Sequence, residues 1–177
     1  MPNLVYIASS LDGFIAKKDG GIEWLNDIPN PENSDFGFAD FMQRIDAIVI
    51  GRNTFELVLT FKTWPYAKPV FVLSRTMKSV QARLNGKAEI LSGKPDKIVS
   101  ELISRGYNNI YIDGGKTIQG FLKLDLIDEI ILTKIPIILG EGIPLFGKLI
   151  KELKFKHIKT KVFNNALVRS HYKRIRG

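Results

Sequence analysis

The chain has 177 residues, 45% of them apolar and 25% charged, a composition ordinary for a globular protein and long enough for a substantial core. It contains no cysteine, which excludes disulfides, a thiol nucleophile and cysteine-ligated zinc. With 26 basic and 18 acidic residues the net charge is +8, which favours anionic ligands in general.

In chain order, Leu4 to Ser9 reads as a buried first strand, and Leu11 to Ala16 as a loop crossing a cleft. Phe38, Phe41, Met42 and Ile45 share one face at helical spacing, which predicts a helix within Phe36 to Ile45. Asp46 to Ile50 is a core strand, followed by a short helix over Thr54 to Leu59. Further strands are expected at Pro69 to Leu73 and Ala88 to Leu91. Pro95 opens a helix whose inner face is Ile98, Leu102 and Ile103. Asn109 to Ile112 is a strand, Thr117 to Leu122 a helix, and Asp128 to Thr133 a long strand. Phe155 to Val162 and Leu167 to Ile175 form a closing antiparallel hairpin around Asn164-Asn165. Alternating strands and helices imply one α/β domain over residues 1–177, with a mostly parallel central sheet and flanking helices.

Two strand-to-helix turns match each other. Ala47-Ile48-Val49-Ile50 runs into Gly51-Arg52-Asn53-Thr54, and Asn109-Ile110-Tyr111-Ile112 runs into Asp113-Gly114-Gly115-Lys116-Thr117-Ile118. In each, Gly lets the backbone turn sharply and lets a ligand come close. The helix start that follows offers free N–H groups and a partial positive charge, a ready anion site. Two such turns suggest a ligand with several phosphates, such as a dinucleotide. Ser74-Arg75-Thr76 follows a third strand and extends the groove. Ser74 and Thr54 add hydroxyl donors, and a ribose 2′-phosphate fits the guanidinium pair Arg52 and Arg75, which argues for NADPH over NADH. The Gly-x-Gly-x-x-Gly fingerprint after the first strand is absent, which disfavours a standard Rossmann domain.

The chain resembles the dihydrofolate reductase-like superfamily, and within it the branch holding the C-terminal reductase domain of bifunctional riboflavin-biosynthesis enzymes (RibD C-terminal-like) and stand-alone bacterial relatives. The matching segments are Ser10-Leu11-Asp12-Gly13-Phe14-Ile15-Ala16, Ala47 to Glu56, Val72-Leu73-Ser74-Arg75, Ile112-Asp113-Gly114-Gly115, Asp128 to Thr133 and Ile135 to Phe146, in family order across nearly the whole chain. The resemblance implies a dihydrofolate reductase-like fold and NADPH as hydride donor. It implies that Gly51, Arg52 and Thr54 hold cofactor phosphates, with Ser74 and Arg75 at the 2′-phosphate. Gly114, Gly115, Lys116, Thr117 and Ile118 would line the pyrophosphate turn, where the family often has a cis peptide. Ala8 and Ile15 would contact the nicotinamide, and Thr133 would floor the substrate pocket.

In a dihydrofolate reductase a carboxylate on the first helix anchors the pterin. Asp35 and Asp40 lie near that position; the other reading of each is an acid stabilised by a helix start. Trp24 is either a pocket wall or a loop anchor. A zinc deaminase half is excluded, because there is no cysteine and no His-x-Glu signature. The expected activity is reduction of a ribosylaminopyrimidine-like or pteridine-like substrate by NADPH. The alternatives are dihydrofolate reductase proper and a non-catalytic nucleotide- or nucleic-acid-binding protein on the same fold.

The basic residues from Lys148 to Arg176 are dispersed, with few interleaved aromatics, so a solvated strand face is expected rather than a nucleic-acid surface. His157 and His171 lack a ligand-like cluster and read as exposed or strand-face residues, so no metal is expected. No apolar run approaches the ~20 residues of a membrane helix, and Leu4 to Ser10 is too short and lacks the basic leader of a signal peptide. A cytoplasmic protein is expected, associating through its tail strands into a homodimer.

Overall fold

Apolar runs without alternation become strands covered on both faces. In the computed structural model, which describes residues 2–164 and 166–176, the strand Ala47–Gly51 (β3) shows this directly. Ala47 and Val49 enter one buried cluster, while Ile48 and Ile50 enter another on the opposite face.

The chain opens with strand β1 (Asn3–Ser9) and the three-residue strand β2 (Phe14–Ala16), where a plain loop was expected. A 3₁₀ turn at Glu23–Asp27 and helix α1 (Phe38–Gln43) precede β3. Then come α2 (Arg52–Leu59), β4 (Val70–Leu73), β5 (Ala88–Leu91), α3 (Pro95–Ser104), β6 (Ile110–Asp113), α4 (Gly115–Lys123) and β7 (Glu129–Lys134). The two-residue β8 (Ile143–Pro144) and the hairpin β9 (Phe155–Phe163) with β10 (Leu167–Arg174) end the chain. In the hairpin turn, Asn164 has a positive φ of 50°, a conformation that asparagine tolerates; Asn165 lies outside the described residues.

The eight-stranded sheet has the order β5-β4-β3-β6-β1-β7-β10-β9. From β5 to β7 every neighbouring pair is parallel, and β10 and β9 add antiparallel strands at one edge. β2 and β8 form a separate antiparallel ribbon. Phe41 of α1 and Phe55 of α2 pack in the Ile48 cluster, and Ile98 of α3 with Ile118 and Phe121 of α4 pack in the Val49 cluster. Helices therefore cover both faces of a mostly parallel sheet, the dihydrofolate reductase-like α/β architecture.

The order of strands has one consequence for ligands. β3 leads through α2 outward to β4, whereas β6 leads through α4 in the other direction, past β1 to β7. β3 and β6 are adjacent, with Ile50 opposite Asp113. This is a topological switch point, where open α/β sheets leave a crevice beyond the strand ends.

Candidate active site

The two glycine turns sit side by side in that crevice. Gly51 ends β3 and Gly114 follows Asp113 at the end of β6. α2 and α4 start there from opposite faces of the sheet, and neither has a side-chain cap. The Ile118 N–H reaches Gly114 O at 2.9 Å, closing the first turn of α4. The N–H groups of Gly115, Lys116 and Thr117 precede that bond and have no partner within the helix. Two partial positive charges meet in one crevice.

The turns are closely fitted. Gly114 has φ +91°, and a Cβ there would lie 2.4 Å from Thr54 Oγ1. A Cβ on Gly51 would lie 2.7 Å from Thr117 Oγ1, and one on Gly115 would lie 2.8 Å from Ile15 Cδ1. Thus Thr54 and Thr117 each reach across to the other turn, and Ile15 of β2 covers the start of α4. The peptide bonds of this turn, like all those described, are trans. Lys116 is exposed at the rim.

Beside β3, β4 ends at Leu73, opposite Gly51. Ser74 Oγ accepts the N–H groups of Met77 (3.0 Å) and Thr76 (3.3 Å), which folds this segment into a tight turn. Arg52 Nη1 donates to Thr76 Oγ1 at 3.1 Å, while its Nε lies 3.6 Å from Glu56 Oε1. Arg75 is exposed and has no acidic partner among the described residues. The structure thus brings Arg52, Thr54, Ser74 and Arg75 to one rim with Gly51 and Gly114.

On the other side of β6, Ala8 of β1 pairs with Thr133 of β7. Thr133 is buried, and Ala8 is half-buried against a cluster of Trp24, Ile135 and Leu167. Trp24 is a loop anchor, 2% exposed, with its indole N–H buried and unpartnered. Lys134 Nζ donates to Ser10 O at 3.0 Å, and burial lowers its pKa. Ser10 Oγ donates to Asp12 Oδ1 at 2.6 Å, and the other Asp12 oxygen accepts the Gly140 N–H at 2.8 Å. These bonds pin the loop that carries Ile15.

The two acids singled out near the first helix part company: Asp40 lies on α1 and Asp35 before it. Asp35 accepts the N–H groups of Gly37 and Ala39, both at 2.8 Å, and these bonds hold its carboxyl below the ordinary value. That is a helix-start acid. Asp40 is exposed on α1 and faces a cavity shared with Arg44 and Arg169.

Asp113 carries a chemistry the sequence did not assign to it. Burial pushes its carboxyl up to about 6, although the Gly114 N–H, 2.8 Å from Oδ1, and the nearby Tyr111 hydroxyl pull it down. Tyr111 itself donates to Tyr6 O at 2.9 Å. Burial, with the Asp113 charge adding to it, raises the Tyr66 phenol. Trp64, whose indole N–H is buried without a partner, stacks edge-on to Tyr66 at 5.4 Å. A carboxyl with a raised pKa therefore sits at the end of β6, bonded to the Gly114 N–H. The visible signal was an acid ending the apolar run Ile110-Tyr111-Ile112 immediately before a glycine pair.

Among the described residues no group of three histidines or acids is placed to hold a metal. His157 Nε2 lies 2.8 Å from Thr160 Oγ1, and His171 Nε2 lies 3.0 Å from Glu129 Oε2. No helix described is long and apolar enough to cross a membrane.

Comparison with known proteins agrees with this architecture. The RibD C-terminal domain family profile matches residues 4–168. The chain is 38% identical over 174 residues to the uncharacterized protein YwjB of Bacillus subtilis (strain 168), covering 97% of each. It superposes on a putative riboflavin biosynthesis protein from Shewanella sp. PV-4 with a TM-score of 0.96 at 50% identity, covering 99% of this chain and 100% of that one. Against dihydrofolate reductase from Enterococcus faecalis, complexed with NADP(H) and RAB-propyl, the TM-score is 0.67 at 17% identity, covering 98% and 96%, which is a likeness of fold.

Proposed function

This chain belongs to the RibD C-terminal domain family, and we propose that it is an NADPH-dependent oxidoreductase of the riboflavin-biosynthesis type, reducing a ribosylaminopyrimidine-like or pteridine-like ring. The observation that carries this reading is the crevice at β3 and β6. Two uncapped helix starts and two glycine turns, crowded by Thr54 and Thr117, offer backbone N–H groups where a diphosphate needs them. A side chain at Gly114 would collide with Thr54 and force the two turns apart.

NADPH, when bound, supplies the hydride. Gly51, Thr54, Gly114, Gly115 and Thr117 would hold the diphosphate through the turn backbone, with Lys116 at the rim; Ile118, expected there from the sequence, gives its N–H to Gly114 O and its side chain to the core. Arg52, Ser74 and Arg75 hold the 2′-phosphate. Ala8 and Ile15 would contact the nicotinamide, and Thr133 would floor the substrate pocket. Catalysis is then mostly positioning in a dry crevice. Asp35 is held ionised by the Gly37 and Ala39 N–H groups and is little suited to donate a proton to the substrate. The family match favours a pyrimidine-type reductase over dihydrofolate reductase proper. All of residues 1–177 would form one domain, acting in the cytoplasm as a homodimer on a small molecule.

The test is a parallel titration with NADPH and NADH followed by nicotinamide fluorescence, then a substrate screen using NADPH deuterated at either face of C4. Preferential NADPH binding and stereospecific deuteride transfer are expected. Binding of neither cofactor would remove the basis of the reading. A light-scattering mass near that of one 20.0 kDa chain would remove the dimer.

A further inference from the structure

The C-terminal hairpin sorts its side chains by charge. Alternation along the strands puts Lys159 and Lys161 of β9 on one face with His171 and Arg169 of β10, their partners across the ladder. Lys161 Nζ and the Arg169 guanidinium both lie over the Phe163 ring, 4.8 and 5.0 Å from its centroid, which fixes that face. Lys156 and Lys173, opposite each other beyond a bulge, join it. The other face holds Val162 opposite Val168, Thr160 opposite Ser170 with their hydroxyls 2.8 Å apart, and His157 opposite Tyr172. α4 covers this side of the sheet at β7, where Ile130 and Leu132 share a buried cluster with Ile118 and Phe121. Beyond β7, Val168, Val162 and Thr160 are exposed, Val162 by 55%.

Charge and edge geometry decide what can cover this face. An acidic partner is drawn to the lysine face. The chain carries a net charge of +8, so two copies repel wherever their cations meet. On the valine face the cations are already engaged. Lys134, opposite Val168, gives its ammonium to Ser10 O at 3.0 Å, and Arg174 is paired with Asp125 at 2.7 Å. A second copy therefore approaches here without bringing free ammonium groups together. Addition along the edge of β9 is disfavoured. Lys156, Lys159 and Lys161 are exposed beside it, and the bulge between His171 and Tyr172 skips Ile158 and twists the strand.

The hairpin face alone is too small for a stable pair. At ~3.3 Å per residue and ~4.8 Å between strands, the 8 residues of β10 and their β9 partners present ~26 Å by ~10 Å, about a third of the ~800 Å² that each partner of a specific complex buries. Exposed apolar surface continues past Val168 in one direction. Lys134 leads to Ser10 and Leu11, its Nζ 3.4 Å from Leu11 O. Leu11 is 55% exposed and gives its N–H to Ile137 O at 2.8 Å, next to Ile138, which is 70% exposed. This is the loop that carries Ile15 over Gly115.

We propose that a second copy of this chain packs face to face on Val162 and Val168 and reaches Leu11 and Ile138, holding the Ser10–Gly13 loop over the start of α4, so that pairing and NADPH binding strengthen each other. The proposal rests on the cofactor and the homodimer given above and adds the face and the coupling. In a two-fold pair the same patch serves both partners, and two sheets pack by their faces ~10 Å apart with side chains interdigitated. Valines then meet valines, and the partner covers the outer side of the Leu11 loop. Ile15 needs less ordering when the cofactor binds to the pair than when it binds to one chain, which is the source of the coupling. Linkage makes the effect reciprocal.

The test is sedimentation equilibrium of the full chain over a range of concentrations, with and without saturating NADPH, beside fluorescence titration of NADPH. The parent is expected to form pairs that dissociate on dilution, with a dissociation constant about tenfold lower in NADPH. Val162→Glu/Val168→Glu should sediment near the 20.0 kDa of one chain, keep its far-ultraviolet circular dichroism, and bind NADPH about tenfold more weakly than the paired parent. Val162→Thr/Val168→Thr, which suits a strand, should weaken both in the same direction. Lys159→Glu/Lys161→Glu, on the other face of β9, should pair at least as tightly as the parent. Pairing that survives the glutamates at Val162 and Val168, or is lost equally with those at Lys159 and Lys161, would overturn the face. A monomeric variant that binds NADPH as tightly as the parent would overturn the coupling. A parent near 20.0 kDa at every concentration would overturn this proposal and the homodimer together. A parent that pairs but binds neither cofactor would remove the reductase reading and the coupling, and the masses of the variants would still decide the face.

Discussion

A methyl group on Gly114 would stand 2.4 Å from the Thr54 hydroxyl oxygen. That single approach couples the turn after β6 to the first turn of α2, and with it the two halves of the crevice. Gly114→Ala meets two obstacles, the contact and the positive φ of 91°. Holding a non-glycine residue there costs ~1–3 kcal/mol. Gly114→Ala is expected to lower the melting temperature and to weaken NADPH binding by at least tenfold. Gly114→Ala/Thr54→Ala removes the contact but not the backbone strain, so it should recover only part of the melting temperature. Full recovery in a thermal melt would show that φ contributes nothing.

Arg52 and Arg75 end adjacent strands, but they are held differently. Arg52 is tied to Thr76 at 3.1 Å, whereas Arg75 is exposed. If they clamp a 2′-phosphate, each charge-assisted hydrogen bond contributes ~1.5–3 kcal/mol, or ~10-fold or more in affinity. Arg52→Ala/Arg75→Ala should therefore weaken NADPH by ~100-fold while changing NADH little. The preference between cofactors, read by fluorescence titration, should collapse towards unity. An equal loss for both cofactors would place the arginines elsewhere on the ligand.

Asp113 predicts an unusual pH dependence. Its folded pKa of about 6 exceeds the ordinary 3.8, so the folded state binds its proton more tightly than the unfolded chain. The resulting stability is fully present below pH ~4 and is lost as pH rises towards ~6. Asp12, Asp35 and Asp46 have lowered values, so their contributions act the other way, vanishing as pH falls below ~4. Asp113→Asn keeps an oxygen for the Gly114 N–H and removes the titration. The melting temperature of the variant minus that of the parent should rise between pH 4 and 6 and stay flat above. At about 1.4 kcal/mol per pKa unit, the span is ~3 kcal/mol at most. A flat difference across that range would mean that Asp113 is solvated.

Much of this architecture was legible because local pattern and tertiary role agree. Ala47 to Ile50 is apolar on both faces, and that is what a central parallel strand needs. Pro95 with Ile98 and Leu102 placed α3 for the same reason. β2 was not legible: Phe14–Ala16 is a strand only because Ile143 and Pro144 lie beside it, far along the chain. The glycine turns were visible as candidates, but their adjacency depends on β6 inserting between β3 and β1, and no local signal records a strand order. The raised value at Asp113 depends on the burial imposed by packing around β6. Asp35 shows the converse: spacing put it near a catalytic position, and its bonds to Gly37 and Ala39 make it a helix-start acid. The basic tail was read as a solvated face, and Lys156, Lys159 and Lys161 of β9 are exposed.

The last strand is anchored by a forked ion pair. Arg174 donates from Nε to Asp125 Oδ1 at 2.7 Å and from Nη2 to Oδ2 at 2.9 Å. Its side chain is only 8% exposed, so this pair is worth more than a surface salt bridge. Asp125 sits in the turn between α4 and β7 at φ 55°, and Arg174 therefore ties the edge hairpin to the parallel sheet. Arg174→Lys keeps the charge but loses the fork. A loss of ~1–3 kcal/mol is expected, which for a chain of this size lowers the melting temperature by ~2–4 °C per kcal/mol. The hydrogen bond from Arg174 holds the Asp125 carboxyl below its ordinary value, so the pair contributes above pH ~4 and is lost as pH falls through the lowered pKa. Thermal melts of parent and variant should converge at low pH. A constant gap down to pH 2 would mean that Arg174 acts through packing against Phe155, 5.9 Å from its guanidinium, and not through Asp125.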